Sequence, residues 1–152
     1  MVQLAHSPAY ILRQLLVDLG LASLPSDSSS WPVFTHNEPN TPDACITVKD
    51  TAGVKNSRNA IDGIVSEYFG CQIRLRHADP NSGDSKLREL QAALDEDVLD
   101  DVVIVTGPSG TATTSYLVHT VMRESATPLG KAPESNRWLF TLNVTLDLRQ
   151  LS

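Results

Sequence analysis

The chain has 152 residues, and 12 lysines and arginines stand against 18 aspartates and glutamates, so its formal net charge is −6. This length suits one domain, residues 1–152, and the 41% share of hydrophobic residues argues against a wholly disordered chain. The acidic balance disfavours a protein whose main task is to grip phosphate backbones, because that task needs clustered basic side chains. Since neither a membrane-spanning run nor a signal peptide is evident, we expect a soluble protein made in a cytoplasm.

The first predicted element is an amphipathic helix over residues 7–20. Ser7 is a suitable N-cap, Pro8 occupies the first helical position, and Gly20 suits the C-terminal stop. Apolar side chains recur at a spacing of three and four residues, at Ile11, Leu12, Leu15, Leu16 and Leu19. The helix must therefore pack on a sheet or on a neighbouring subunit.

Residues 31–36 (WPVFTH) predict a short strand, with Pro32 near its start, where a missing N–H is tolerated. A loop with two prolines follows, and residues 45–51 (CITVKDT) predict a second strand; we expect these two strands to pair antiparallel. Residues 52–70 show no clear period, and their glycine, asparagine and serine content indicates a long, partly mobile excursion.

Residues 71–78 (CQIRLRHA) predict a strand with one apolar side and one side that is wet or paired with charge. A second helix is predicted over residues 81–101, where Asp84 lies near the N-terminus and suits the helix dipole. Its apolar stripe consists of Leu87, Leu90, Ala93 and Leu94. Residues 102–105 (VVIV) then predict a compact apolar strand.

Residues 115–123 have the composition of a strand, and residues 137–150 (RWLFTLNVTLDLRQ) alternate strictly between apolar and mixed positions. This last run exceeds the roughly 3–10 residues of an ordinary strand, so we expect part of it to project beyond the sheet. Together the elements predict an α+β fold, with a mixed, mainly antiparallel sheet and two helices on one face.

Cys45 and Cys71 both lie in predicted strands, and we expect buried, reduced thiols. They do not form a CxxC motif, no histidine stands at zinc-site spacing from them, and the four histidines of the chain are scattered. The sequence therefore predicts neither a metal ion nor a cofactor.

The glycine-rich stretch VVIVTGPSGTATTS at 102–115 is similar to the start of a phosphate-binding loop. Thr111 follows Gly110 where such a loop has a lysine, and a strand pattern follows instead of a helix. A hairpin turn is the better interpretation, and no GxSxG motif or local triad spacing indicates nucleophilic catalysis. We therefore predict no enzyme; a small nucleotide-binding module or enzyme that uses residues 107–110 is the distant alternative.

Charged side chains are concentrated in two places. The acidic cluster at the end of the second helix has no EF-hand ligand ladder, which indicates a solvated helix end. On the strand at 71–78, Arg74 and Arg76 favour a cross-strand or subunit salt bridge over an anion site. A small acidic domain with no catalytic set and a loop-rich middle suits a function that depends on its surface.

The motifs follow a recognisable order from Ile11 to Leu148: ILRQLLVDLGL, WPVF with its proline loop, CITVKDT, CQIRLRHA, PLGKAPESNRW and FTLNVTL. This order resembles the minor capsid and tail-terminator (tail-completion) proteins of long-tailed bacteriophages. The resemblance implies a structural virion protein of the tail neck without catalytic residues. Such proteins form a ring, typically of six subunits, that caps the head-proximal end of the tail tube, halts its polymerisation and meets the head-side connector. A head-completion or neck adaptor protein is the near alternative.

The resemblance also implies partners: further copies of the chain, the tail tube protein and the connector or stopper protein. A ring needs one patch of each subunit against a different patch of the next. Candidate patches are the apolar side of the last strand from Leu139 to Leu148 and the loops at 55–59 and 127–137. Candidate contact residues are Lys55, Asn56, Arg58, Arg74, Arg76 and Arg137. We expect the loop that contains Arg58 to order only on contact with the tube or connector.

In such a ring, DNA would pass through the lumen without specific binding. We expect no membrane partner. Acidic side chains in the lumen repel phosphates, and six copies at −6 total about −36 before screening. The candidate lumen-facing residues are Asp50, Asp95, Glu96, Asp97, Asp100 and Asp101.

Overall fold

A computed structural model describes residues 4–25, 31–58, 65–106, 113–132 and 135–151, with the backbone alone at 53–58 and 65–67. The elements, in chain order, are α1 (Pro8–Asp18), β1 (Val33–Thr35), β2 (Cys45–Arg58), β3 (Val65–His77), α2 (Pro80–Glu96), β4 (Asp101–Thr106), β5 (Thr113–Arg123), β6 (Thr127–Lys131) and β7 (Trp138–Gln150). Across these ranges the strands form a seven-stranded sheet in the order β1-β2-β3-β7-β5-β4, while β6 pairs with β7.

Both helices begin as their sequences predict. The Ser7 hydroxyl accepts a hydrogen bond from the Tyr10 amide at 3.5 Å, and Pro8 starts α1. At α2 the cap is Asp79, whose carboxylate accepts from the Asn81 amide at 3.2 Å. The Ser82 hydroxyl also donates to this carboxylate and is the main reason that the Asp79 pKa lies below its usual value.

The predicted apolar stripes of both helices form the core. The buried residues of α1 include Ile11, Leu12, Leu15 and Leu16, and those of α2 include all four predicted stripe residues. Helix α1 contacts β1, β2, β3 and β4, while α2 contacts β3, β5 and β7. Because α1 reaches strands near both ends of the sheet order, the sheet curls around it. The predicted α+β fold, with a mixed, mainly antiparallel sheet, is confirmed.

Helix α2 ends at Glu96, so the prediction that it continues to residue 101 is wrong. Asp97 is the C-cap, and Asp100 has a left-handed φ of 53°, a conformation that no helix accommodates. The chain turns here and enters β4 directly. None of the helices in the described ranges is long and apolar enough to span a membrane.

Strand β7 alternates as predicted only from Leu142 onward, since Leu139 to Leu142 are all buried, and none of it projects beyond the sheet. On one side its residues Trp138 to Asp147 pair with β3. On the other side its first residues pair with β6, and its last residues, Val144 to Gln150, pair with β5. Strands β6 and β5 thus share one edge of β7. Its apolar side faces the helices, so the patch predicted from Leu139 to Leu148 is largely the core itself, with Leu142 and Leu146 fully buried.

Strands β1 and β2 are parallel, not antiparallel as predicted. Val33 pairs with Ile46 and Thr35 with Val48 in the same direction. Two consecutive parallel strands need a connection that leads the chain back to the end of the sheet at which the first strand began. Residues 36–44 form this connection. The sequence of two short strands and a proline loop does not show whether the strands are parallel, because their relative direction depends on where the loop packs on the sheet.

The predicted excursion at 52–70 is mostly strand. Strand β2 continues to Arg58 and β3 begins at Val65, and the two pair as a hairpin. Register shifts occur between Thr51 and Val54 and again between Lys55 and Ser57. Each shift breaks the two-residue alternation, which explains why the sequence shows no period here. Residues 59–64 lie outside the described ranges.

Candidate assembly surface

One end of the sheet is closed by a loop of the same chain. Residues 36–44 lie over the outer face of β2 and β3, and Arg76, which is 4% exposed, holds them. Its guanidinium donates to the Pro42 carbonyl at 2.6 Å and to the Asp43 carbonyl at 3.3 Å. Arg137 forms an ion pair of 2.8 Å with the Asp43 carboxylate.

Glu38 adds charge to this contact from within the loop. Its carboxylate oxygens lie 3.4 Å from Arg74 Nε and 3.7 Å from Arg76 Nη1. The contact with Arg74 is an ion pair without hydrogen-bond geometry, since neither atom has a hydrogen-bond partner. Three of the predicted contact residues, Arg74, Arg76 and Arg137, therefore bind a loop of their own subunit.

The other three, Lys55, Asn56 and Arg58, lie at the far end of the β2–β3 hairpin. Lys55 pairs with Glu67 and Arg58 with Val65 in the backbone ladder. The pairing of β3 with β7 ends at Tyr68 and Asp147, although β7 continues to Gln150 in its pairing with β5, so the end of the hairpin separates from β7. We call this part, residues 54–58 and 65–67, the arm. Whether the arm and the turn after Arg58 order only on contact with a partner stays a prediction.

The predicted lumen-facing acids do not form one surface. The Asp95 carboxylate makes a bidentate pair with Arg123 at 2.7 to 2.9 Å, and Asp100 Oδ1 lies 2.7 Å from His119 Nδ1. One oxygen of Asp101 is buried and has no hydrogen-bond partner among the described residues. Glu96 and Asp97 are exposed at the end of α2 and carry unshared charge. We call residues 95–101 the acidic turn.

Asp50 lies apart from the acidic turn. Its Oδ1 accepts a hydrogen bond from the Ala9 amide at 2.8 Å, in the first turn of α1, where the helix dipole favours a carboxylate. Its Oδ2 is 3.7 Å from His36 Nε2. This carboxylate therefore fixes α1 to β2, a role that the sequence does not indicate.

A cleft of about 520 Å³ opens beside this helix end. It is lined by Ala5, His6, Ser7, Tyr10, Arg13, His36 and Thr106. The Tyr116 hydroxyl lies 2.8 Å from His6 Nδ1 and accepts the His6 amide at 2.9 Å, and burial raises the pKa of this phenol. The contacts between His6 and Tyr116 thus tie the N-terminal segment to β5.

The two thiols are free and buried, as predicted. Burial raises the pKa of Cys71 to about 12 and also raises that of Cys45. Among the described residues, no three His, Cys, Asp or Glu side chains are grouped so that they could hold a metal ion. Gly107 to Gly110 lie outside the described ranges, but β4 and β5 on either side pair antiparallel, which agrees with a hairpin connection.

The other end of the sheet is open. Strand β4 is the last in the sheet order, and its Val102 and Ile104 side chains are 56% and 55% exposed on the outer face, the face away from the helices. Val103 and Val105, which alternate with these two residues along β4, point into the core. The sequence predicted a compact apolar strand here and missed the exposure, because four consecutive apolar residues conceal which two are buried. Exposed apolar residues on an edge strand are typical of a contact surface.

Comparison with known proteins identifies the family of the chain. The sequence profile of a family described as bacteriophage tail terminator protein matches residues 15–150, which is nearly the whole chain. No curated protein matches the chain significantly. The matched family is a structural component of the phage virion tail and is not known as an enzyme. The chain belongs to the bacteriophage tail terminator family.

Proposed function

We propose that the chain forms a ring, of six subunits, at the head-proximal end of the tail tube, in the neck of the virion. The ring stops polymerisation of the tube protein and joins the tail to the connector or stopper protein on the head side. The family match over residues 15–150 carries this proposal. The open end of the sheet supports it, because a subunit that exposes Val102 and Ile104 has an apolar surface for another chain.

DNA passes through this ring, and the charge of the subunit suits that passage. Asp50, Asp95 and Asp100 are occupied by contacts within the subunit. The unshared charge lies on Glu96 and Asp97, which we place toward the lumen. Carboxylates there repel phosphates and prevent adhesion, and salt reduces the effect beyond roughly 8–10 Å.

Polymerising tail tubes test the proposed function. Purified protein is added to growing tubes of the tail tube protein, and electron microscopy records tube length and the position of any ring. We expect tubes to stop growing and to carry a ring at one end. Rings that bind only the isolated connector would indicate the neck adaptor instead, and protein bound along the tube walls would contradict both.

The position of the acids is read from the same images. A reconstruction of the ring should place Glu96 and Asp97 on the channel wall. Neutralising both, as Glu96→Gln with Asp97→Asn, should increase retention of double-stranded DNA by the ring at low salt, whereas the control Glu124→Gln should not. A ring with both carboxylates on its outer surface would exclude the lumen assignment.

A further inference from the structure

Among the described strands, two long edges without a covering strand can be compared, and the first is β4. Beyond β4 no strand follows within the described ranges, so the outward N–H and C=O groups of Asp101–Thr106 lack a backbone partner there. Natural edge strands are usually blocked by proline, by lysine or by a covering segment. The sequence DVVIVT contains neither residue, and it leaves Val102 and Ile104 exposed. Such an edge is suited to pair with a strand of another chain.

The second free edge is on β2, at the opposite end of the sheet. Strand β1 covers β2 only from Ile46 to Val48. From Lys49 to Arg58 the described backbone of β2 pairs with β3 alone, and over the arm the hairpin is no longer paired with β7. This edge is longer than β4, and beyond Asp50, which contacts the first turn of α1, it offers backbone groups to a neighbouring subunit.

The two edges carry opposite charge. Along β2 from Lys49 to Arg58 the sequence has Lys49, Lys55 and Arg58, and its one acid, Asp50, is held at the N-terminus of α1. The acidic turn, which ends at the first residue of β4, contains five acids; Asp95 and Asp100 are paired with Arg123 and His119, and three acids remain. Opposite charges on two strand edges favour their contact and set their orientation, and they disfavour pairing of either edge with its own copy.

We infer that, in the ring of the proposed function on which this step rests, the free edge of β4 in one subunit pairs with the free edge of β2 in the next. The contact is heterologous, since one patch meets a different patch, and it therefore repeats around a circle. Closure of the circle leaves no free β4 edge, which removes the hazard of open-ended aggregation. Val102 and Ile104 are then covered next to the neighbour's arm.

Cysteine cross-linking tests the pairing directly. The two native thiols are fully buried, so reagents at neutral pH reach only introduced cysteines. We use Ile104→Cys on β4 and Lys55→Cys on β2, with a flexible bismaleimide that tolerates uncertainty in register. Each variant alone should stay uncross-linked, a mixture of the two should give a covalent dimer, and a chain with both changes should give a ladder that ends at the ring's copy number.

Charge reversal gives an independent measurement. The double variant Lys55→Glu with Arg58→Glu should raise the dissociation constant of the ring at least tenfold, as measured by sedimentation at low salt. Adding Asp101→Lys, on β4 itself, should restore part of the lost affinity. The control Arg88→Glu, on the exposed face of α2, should leave ring formation unchanged.

The outcomes separate this inference from the proposed function. Cross-linking of Ile104→Cys with itself, or rings that form without any cross-link in the mixture, would overturn the β4–β2 pairing while the ring stands. Rings that cross-link as expected but ignore tube ends would keep the pairing and contradict the terminator role. A protein that stays monomeric in the presence of tubes would overturn both.

Discussion

The two ends of the sheet differ in how the chain treats exposed backbone and charge. At the β1 end the edge is short and covered: Val33 donates its amide to the Ser23 carbonyl, and residues 36–44 are held by a buried arginine. At the β4 end the edge is six residues long, free of such cover within the described ranges, and apolar on its outer face. The covered part of the first end, where β1 lies beside β2, completes the subunit, whereas β4 leaves it incomplete, as does the part of β2 beyond β1.

This difference separates stability from assembly. Contacts at the closed end are made once, during folding, so a change there should be seen in the free energy of unfolding. Residues at the open end are solvated in the isolated subunit and gain contacts only in the ring, so a change there should be seen in association. The predictions below test this division, from the largest expected effect on stability to the smallest.

The largest effect is expected at Arg76. Arg76→Ala leaves the Pro42 and Asp43 carbonyls without their donor and Glu38 without one of its cations. Because the guanidinium is almost fully buried, we expect a loss of about 3 kcal/mol in the free energy of unfolding, measured with urea. Arg149→Ala, an exposed arginine on β7, is the matched control and should cost less than about 0.5 kcal/mol.

Thiol labelling shows where the Arg76→Ala variant opens. Cys45 pairs with Arg76 across β2 and β3, at the closed end, whereas Cys71 faces the core. Since burial raises the pKa of Cys71 to about 12, its thiolate is scarce at pH 8 and it should react only on global unfolding. Release of the loop should therefore expose Cys45 alone. Equal labelling of both thiols would show that the loop is not an independent element.

An intermediate effect is expected at Gly70, where the sheet passes into the arm. A Cβ at this position would lie 2.6 Å from the Ala52 carbonyl oxygen and would also collide with Thr51 Oγ1. Gly70→Ala should therefore cost about 1–3 kcal/mol, because the β2 backbone must shift. Adding Thr51→Ala removes the side-chain conflict and should restore part of the loss. Full tolerance of Gly70→Ala would mean that the β2 backbone at Ala52 shifts away from β3 without cost.

How much of this was visible in the sequence depends on periodicity. The helices and β7 were predicted with their buried faces, because Leu12, Leu90 and Leu142 belong to regular repeats that one core satisfies. The direction of β1 and the hairpin at 52–70 were missed, because loop anchoring by Arg76 and register shifts after Thr51 leave no periodic signal. The periodic pattern within a helix or strand shows which of its faces is buried, but it does not show which other elements lie beside it.

The same limit of sequence patterns applies to the candidate assembly surface. The acids at 95–101 were found as a cluster, but Asp95 and Asp100 are paired with Arg123 and His119, residues that are distant in sequence. Edge position is equally invisible, since VVIV reads the same in a central strand and in β4. Lys55 and Arg58 were selected by charge and loop composition, and their place on a free edge emerged only from the sheet order.

The smallest effect on stability is expected at the open end. Val102→Thr with Ile104→Thr keeps β-branched side chains on β4 and replaces one methyl and one ethyl group on half-exposed side chains with hydroxyls, so the free energy of unfolding should change by less than about 0.5 kcal/mol. Association should nevertheless weaken by roughly tenfold, about 1.4 kcal/mol, because less apolar surface is covered in the ring. Urea unfolding and sedimentation of the same samples measure the two quantities.

Val103→Thr is the matched control for that pair, since it makes the same change one residue away on the buried face of β4. A hydroxyl placed in the core should cost about 1–3 kcal/mol of stability. Its association, measured where the variant is folded, should stay close to that of the unchanged protein. Opposite patterns at adjacent residues of one strand would separate the inner face, which folds the subunit, from the outer face, which joins it to the next. If the exposed pair altered stability and left association unchanged, β4 would be an ordinary edge and the surface of contact would lie elsewhere.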